Sequence, residues 1–359
     1  MSAAPVMILA GGTGGHVYPA LAVAEELRSR GVPVVWMGTR RGLEARVVPA
    51  AGFDMAWVEV RGLRGKSAAA RLAAPLMLVR ALAQALAAVA RRRPRLVLGM
   101  GGYVSGPGAL AAWLLRRPLL IHEQNAVAGL TNRLLGRLAA AVLEGFQGAW
   151  PRPGAVFTGN PVRASIAALG RQPAAERTAR SGPPRLLVVG GSLGAQALNR
   201  SVPAALARLP EQRRPEVRHQ AGASTLEVAR EAYREHGVAA TVSAYIDDMA
   251  GAYAWADLAV CRAGALTVAE LATAGLPAVL VPFPHAVDDH QRANAAYLAD
   301  AGAALLLPEA ELSAERLGEL LDSLLGEDSR RAEMARAARA LGRPDAAARV
   351  ADLCLEWAA

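Results

Sequence analysis

At 359 residues the chain has room for two domains, and 53% hydrophobic against 20% charged residues excludes an intrinsically disordered protein. The formal net charge of +9 is uneven: residues 1–162 carry 19 Arg and Lys against 7 Asp and Glu, whereas residues 163–359 carry 21 against 24. So basic a first half implies an anionic partner, which could be nucleic acid, a phosphorylated substrate or an acidic membrane surface.

Two cysteines, Cys261 and Cys354, without metal spacing give neither a zinc site nor a disulfide framework, and a reducing cytoplasm is the default expectation. The first residues lack a basic leader with a long apolar run, so no secretion signal is expected. Only one of the 40 basic residues is lysine, Lys66. With the heavy Ala content, this Arg bias reflects a GC-rich coding sequence better than a selected function.

In chain order, Val6 to Ala10 read as a buried strand running into Gly11-Gly12-Thr13-Gly14-Gly15-His16, with helical spacing from Tyr18 to Leu27. A glycine turn between strand and helix is an anion site, because backbone N–H groups crowd the ligand and the helix N-terminus adds partial positive charge. The dinucleotide pattern G-x-G-x-x-G fails, since Val17 stands where its last glycine belongs. The Walker pattern fails because Val60 stands where Gly65-Lys66-Ser67 would require a glycine. NAD and ATP are therefore poor ligands for it, and a purely structural turn is the plain alternative. His16 is either a general base at the mouth of the turn, since an imidazole titrates near neutrality, or a cap on the first helical turn.

Val34–Met37 is the next strand. Ser67 is placed to cap a long helix running to Arg93 before Pro94. On it Leu72, Leu76, Val79, Ala83, Leu86 and Ala90 form one face, Pro75, Leu78, Leu82 and Val89 widen it, and Met77 lies nearly opposite. Arg64, Lys66, Arg71, Arg80, Arg91, Arg92 and Arg93 flank the band. Two readings stay open: a membrane-surface patch, or a thick core face with a solvated basic end.

The uncharged run from Leu96 to Leu115 has the length of a membrane span, but Gly99, Gly101, Gly102, Gly106, Pro107 and Gly108 break it into strand, loop and helix start. Strand Leu96–Leu98 leads into Gly101-Gly102-Tyr103-Val104-Ser105-Gly106-Pro107, and strand Leu119–Ile121 into His122-Glu123-Gln124-Asn125. Both loops lie at strand C-terminal ends, where open α/β sheets bind ligands. A strand at Ala155–Thr158 precedes Gly159-Asn160-Pro161-Val162-Arg163, read as the interdomain crossing, and residues 171–184 read as an exposed loop.

The opening design then repeats. Arg185 to Val189 run into Gly190-Gly191-Ser192-Leu193-Gly194-Ala195-Gln196, with a helix from Ala197 to Leu209. Two such units about 180 residues apart predict an α/β chain of two Rossmann-like domains. Strands follow at Thr241–Ser243, Leu258–Val260 and Ala278–Val281. The third leads into Cys261-Arg262-Ala263-Gly264 and a helix whose first turn would face a phosphate, with Glu270 one turn inside to accept ribose hydroxyls or only to favour the helix dipole. The fourth leads into Pro282 to Asn294, whose His285, Asp288, Asp289 and His290 suggest a metal, but no Asp-x-Asp pair occurs and no bound metal is expected. The segment from about 330 to 358 reads as helix that could pack back across the hinge.

In this order the segments GGTGGHVYPALAVAEEL, GGYVSGP, HEQNAVAGLTNRLL, GNPVR, GGSLGA, YIDDMAGAYAWADL, CRAGALTVAEL and HAVDDHQ span nearly the whole chain. Together they resemble the membrane-associated N-acetylglucosaminyltransferases of peptidoglycan synthesis in glycosyltransferase family 28. The resemblance implies a GT-B fold, two Rossmann-like parallel-sheet domains facing a central cleft. Residues 1–162 would bind acceptor and membrane, with the C-terminal helix (about 341–359) packed back on them, and 163–340 would bind the donor.

It further implies an inverting transfer from UDP-GlcNAc to the MurNAc C4 hydroxyl of undecaprenyl-diphosphate-MurNAc-pentapeptide (lipid I), giving lipid II, with no cofactor or metal. The place implied is the cytoplasmic face of the bacterial inner membrane, bound peripherally to an anionic surface, with cell-wall and division proteins as further partners.

Carried over by motif, Ile246 would meet uracil through its backbone. Ala265, Leu266, Thr267, Val268, Ala269 and Glu270 would hold diphosphate and ribose, Ser192 and Arg163 the diphosphate, and Gln291 and Asn125 sugar hydroxyls. Thr13, Gly14 and Gly15 would face the cleft, with Tyr103 nearby on the acceptor side, and His16 is the first choice for general base with Glu123 second. His290 departs from relatives that carry a second Gln there. Two rivals are a UDP-N-acetylglucosamine 2-epimerase of the same architecture and an Arg-rich RNA-binding protein. Aromatics at 4% and the lack of a recognition motif argue against RNA.

Overall fold

The computed structural model describes residues 4–61, 74–172, 182–191, 195–284, 286 and 289–358. Contacts divide the chain into two compact units, Met1–Arg163 with Asp345–Ala359, and Ala164–Pro344.

The first unit carries β1 (Val6–Leu9), β2 (Val34–Gly38), β3 (Asp54–Trp57), β4 (Leu96–Gly99), β5 (Leu119–Glu123), β6 (Ala141–Glu144) and β7 (Val156–Phe157). They form one sheet in the order β3-β2-β1-β4-β5-β6-β7, parallel at every pairing. Its helices are α1 (Gly14–Ser29), α2 (Glu44–Ala50), α3 (Ala74–Arg92), α4 (Ser105–Leu114), α5 (Leu130–Leu135) and, from the chain's end, α14 (Ala346–Glu356).

Successive strand residues point to opposite faces, so β1 feeds two cores. Val6 and Ile8 pack with Val23 and Leu27 of α1 and with Val350 and Leu353 of α14. Met7 and Leu9 pack with Ala81, Ala85 and Val89 of α3 and Ala109 and Ala112 of α4. Burial on both faces is why the central strands are continuous apolar runs.

The second unit repeats the plan with β8 (Arg185–Val189), β9 (Glu216–Gln220), β10 (Thr241–Ser243), β11 (Leu258–Cys261), β12 (Ala278–Leu280) and β13 (Ala304–Leu306). Their order is β10-β9-β8-β11-β12-β13, again all parallel. The connecting helices are α6 (Ala164–Arg171), α7 (Gln196–Ala207), α8 (Leu226–Glu235), α9 (Met249–Trp255), α10 (Ala265–Ala274), α11 (His290–Ala299), α12 (Ala314–Gly326) and α13 (Asp328–Leu341). Leu186, Val188, Leu198, Val202, Val260 and Leu321 form its core.

Two expectations are corrected. The final segment, read as helix from about 330 to 358, is interrupted: α13 stops before Gly342-Arg343-Pro344, whose proline supplies no N–H, and α14 begins afresh at Ala346. The wide apolar band is divided. Ala81, Ala85 and Val89 of α3 are buried, and Met77, expected opposite, packs against the same core, while Leu76 and Val79 are 75% and 66% exposed. The expected cap Ser67 and Arg64, Lys66, Arg71 and Leu72 lie outside the described residues.

Candidate functional site

In each sheet the strand order reverses between two neighbours, β1 and β4 in the first and β8 and β11 in the second. The carboxyl ends of the strands at such a reversal are the usual ligand position in open α/β sheets. Both repeated glycine turns lie at these points.

In the first unit the turn after β1 is tightly built. Glu44 of α2 is wholly buried, and its carboxylate accepts from the Gly12 amide at 2.9 Å, the Thr39 amide at 3.0 Å and the Thr39 hydroxyl at 2.7 Å. This carboxylate shapes the turn, and the sequence reading missed it. Its signal was one acid among Arg40, Arg41 and Arg46.

The loop after β4 presses on the same turn. Gly102 has φ of +84°, and a Cβ there would strike the carbonyl of Gly11; a Cβ on Gly101 would strike the His16 ring. Ser105 ties the two loops, accepting from the Gly101 amide at 3.1 Å and donating to the Leu9 carbonyl at 3.3 Å.

Thr13 occupies the cap position of α1 with no side-chain cap bond, and its carbonyl accepts from the amides of His16 and Val17, both at 3.1 Å. Gly14, Gly15 and His16 form the first helical turn. His16 Nδ1 lies 3.2 Å from Gln124 Oε1, in the loop after β5. Tyr103 is 59% exposed beside this loop system. Arg163 stacks over the Tyr18 ring of α1, 5.2 Å from its centroid.

Glu123 is buried, and four N–H groups engage it. Oε1 accepts from the Asn125 amide at 2.9 Å and the Asn125 side chain at 3.2 Å, while Oε2 accepts from the Gly129 amide at 3.1 Å and Asn132 Nδ2 at 2.8 Å. With both oxygens so engaged, the carboxylate holds the 124–132 loop in shape, which argues against its use as the second-choice base. Asn125 is half-buried, oriented by Glu123.

In the second unit α10 starts at Ala265 from Gly264, a cap residue with no side chain to bond the first amides. The N–H groups of Ala265, Leu266 and Thr267 therefore form the open helix end that an anion requires. Val268 and Ala269 continue the helix, and Glu270, 4% exposed, accepts from the Tyr253 hydroxyl at 2.9 Å. Asn294 of α11 is fully buried and donates to the Ala263 carbonyl at 3.1 Å, fixing the loop before the helix.

Ile246 donates its amide to Gln220 Oε1 at 3.1 Å. Behind Gln220, His219 is buried with Nε2 3.0 Å from Asn199 Oδ1 and Nδ1 3.0 Å from the Tyr233 hydroxyl; burial pushes its pKa down to about 3. This Asn199–His219–Tyr233 cluster was not read from the sequence. Gln291 accepts from the Phe283 amide at 2.9 Å. Ser192, His285 and Asp288 lie outside the described residues. Among the described residues no group of three His, Cys, Asp or Glu could hold a metal ion.

Two family models match. The glycosyltransferase family 28 N-terminal domain covers residues 6–144 and the C-terminal domain of that family residues 185–350. A protein of Alkalilimnicola ehrlichii, named UDP-N-acetylglucosamine–N-acetylmuramyl-(pentapeptide) pyrophosphoryl-undecaprenol N-acetylglucosamine transferase, is 64% identical over 99% of both chains. One of the same name from Thiobacillus denitrificans is 58% identical over 97% of both. The crystal structure of Acinetobacter baumannii MurG superposes with a TM-score of 0.81 at 40% identity, covering 99% of this chain and all of that one. A Listeria monocytogenes structure described as a UDP-N-acetylglucosamine 2-epimerase shares the fold at 17% identity and TM-score 0.67 over 97% of this chain and 94% of that one, so architecture alone does not separate the two activities. On the two family models and these near-full-length relatives, the chain belongs to glycosyltransferase family 28.

Proposed function

We propose that the protein transfers N-acetylglucosamine from UDP-GlcNAc to the MurNAc C4 hydroxyl of undecaprenyl-diphosphate-MurNAc-pentapeptide, converting lipid I to lipid II. The observation that carries this reading is likeness over 99% of both chains to a relative named for that transfer. The two glycine turns at the sheets' reversal points agree with it.

The reaction is a displacement with inversion. The C4 hydroxyl attacks the anomeric carbon opposite the departing UDP, through an oxocarbenium-like transition state akin to that of inverting glycosidases. His16 takes the hydroxyl proton. Negative charge developing on the diphosphate is met by the open N-terminus of α10, by Arg163 and by Ser192, electrostatic stabilisation that asks for no metal. Ile246 meets the uracil, Glu270 the ribose, and Gln291 and Asn125 the sugar hydroxyls; Thr13, Gly14 and Gly15 face the donor, and Gly14, Gly15, His16 and Tyr103 the acceptor.

We place the protein peripherally on the anionic cytoplasmic leaflet of the inner membrane, with its cell-wall and division partners there. α3 is long and apolar enough to cross a bilayer by length and composition. Yet one side of it packs on α4, and the other exposes Leu76, Leu78 and Val79. Trp113, Leu114 and Leu115 at the end of α4 and Leu130 and Leu134 on α5 are exposed as well, among Arg80, Arg116, Arg117, Arg133 and Arg137. Apolar residues among arginines suit a surface that lies in a headgroup layer rather than through it.

Product analysis tests the transfer. Labelled UDP-GlcNAc in EDTA should stay unchanged alone and pass its sugar to a short-chain lipid I analogue. Conversion to the 2-epimer without acceptor would support the epimerase instead.

A further inference from the structure

His16, Gln124 and His122 form a hydrogen-bonded chain in the first unit that ends on two backbone carbonyls. A carbonyl accepts and never donates, so the proton positions along the chain follow from its ends. Gly159 O lies 3.1 Å from His122 Nε2, which therefore carries the proton. The Thr158 hydroxyl, 3.2 Å from that nitrogen and 3.0 Å from the same carbonyl, agrees by accepting from the ring and donating to Gly159.

His122 is fully buried and burial lowers its pKa to about 4, so it is a neutral ring with one N–H. Its Nδ1 is then an acceptor, and Gln124 Nε2 donates to it at 3.2 Å. The same Nε2 donates to the His122 carbonyl at 3.2 Å, which independently fixes which end of the amide is NH2. Asn160 Nδ2 donates to the Gln124 carbonyl at 2.9 Å and holds the backbone in place. Gln124 Oε1 consequently faces His16 Nδ1 at 3.2 Å, and an oxygen there requires a donor.

We propose that Gln124 is a positioning residue that holds neutral His16 as the Nδ1–H tautomer, so that Nε2 is the nitrogen that takes the acceptor proton. The proposal rests on His16 being the base. An unconstrained imidazole favours the opposite tautomer, and which nitrogen carries the proton is set by the bond the other makes. During transfer the C4 oxygen bonds to the anomeric carbon, the bond to the UDP oxygen breaks with its electron pair, and the hydroxyl proton moves to Nε2. The resulting imidazolium keeps its Nδ1–H on Gln124 Oε1, as the carboxylate orients the histidine of a hydrolytic triad.

The test is the tautomeric state of His16, read by nitrogen NMR of the full chain with 15N-labelled histidine. The chain has six histidines, and His16→Gln and His122→Gln assign the two rings. The native protein should show His16 protonated on Nδ1 and His122 on Nε2. Gln124→Met should move His16 towards the Nε2–H form and lower kcat about 10–100-fold, as loss of a histidine's orienting partner does, with donor KM within about twofold. Gln124→Glu, which keeps an oxygen facing Nδ1, should restore the tautomer and most of the rate. His16 protonated on Nε2 in the native protein overturns the proposal without needing any variant to fold. Full turnover in His16→Ala would instead remove the base reading while the tautomer assignment stood.

Discussion

Glu123 Oε2 accepts a 2.8 Å hydrogen bond from Asn132 Nδ2, nine residues on and across the first turn of α5. With three further N–H donors on the same carboxylate, this closes the 124–132 loop around a buried anion. Glu123→Ala would leave those donors unsatisfied and should cost about 2 kcal/mol in urea unfolding. It should lower kcat by loosening Asn125 while leaving both limbs of the pH–rate profile in place; loss of one limb would instead mark Glu123 as the base.

Contact between the turn after β1 and the loop after β4 should be more sensitive to a single methyl group than the helix beside it. Gly102→Ala puts a Cβ against the Gly11 carbonyl at a positive φ, and should cost about 2 kcal/mol or more. Gly106→Ala, one position into α4 with nothing within 4 Å of the new atom, should be neutral or stabilising by up to about 1 kcal/mol. Thermal denaturation of both variants checks the contrast.

The exposed side of α3 is predicted to bind lipid. Replacing Leu76 and Val79 by Ser should reduce flotation with anionic vesicles about tenfold or more, because both would otherwise bury apolar surface in the headgroup layer, and should leave Tm unchanged. Equal binding of the native protein to neutral and anionic vesicles would contradict the patch.

Buried His219 should make the second unit acid-sensitive. It stays neutral when folded down to about pH 3, whereas in the unfolded chain it gains its proton near pH 6.5. Its stabilising share is therefore complete above pH 6.5 and is lost as pH falls from there, by about 1.4 kcal/mol per pH unit. His219→Gln, which retains a polar group towards Asn199, should unfold in urea with a shallower acid dependence by about that slope between pH 6 and 4. An unchanged slope would show that His219 titrates normally.

The legible parts of the sequence were those whose chemistry is local. A largely apolar strand running into glycines announced β1 and β8, and the repeat announced two similar sheets. Short or partly polar strands such as β3, with Asp54 at its start, and β13 carried no such pattern and were not read. Helical periodicity gave the width of the α3 band but not which half is covered, because that depends on α4 and β1. Gly342 and Pro344, which break the last helix, were visible but overridden by the surrounding alanines. The roles of Glu44, Gln124 and His219 were hidden for a different reason: each depends on partners from other elements, 108 residues away for His16 and Gln124.

Deprotonation of the acceptor turns on His16, and the direct measurement is the rate of sugar transfer to a lipid I analogue by His16→Ala, alongside its affinity for UDP-GlcNAc. Loss of a general base predicts a kcat about 10²–10⁴-fold lower with donor affinity nearly unchanged. Turnover equal to that of the native protein would contradict the account.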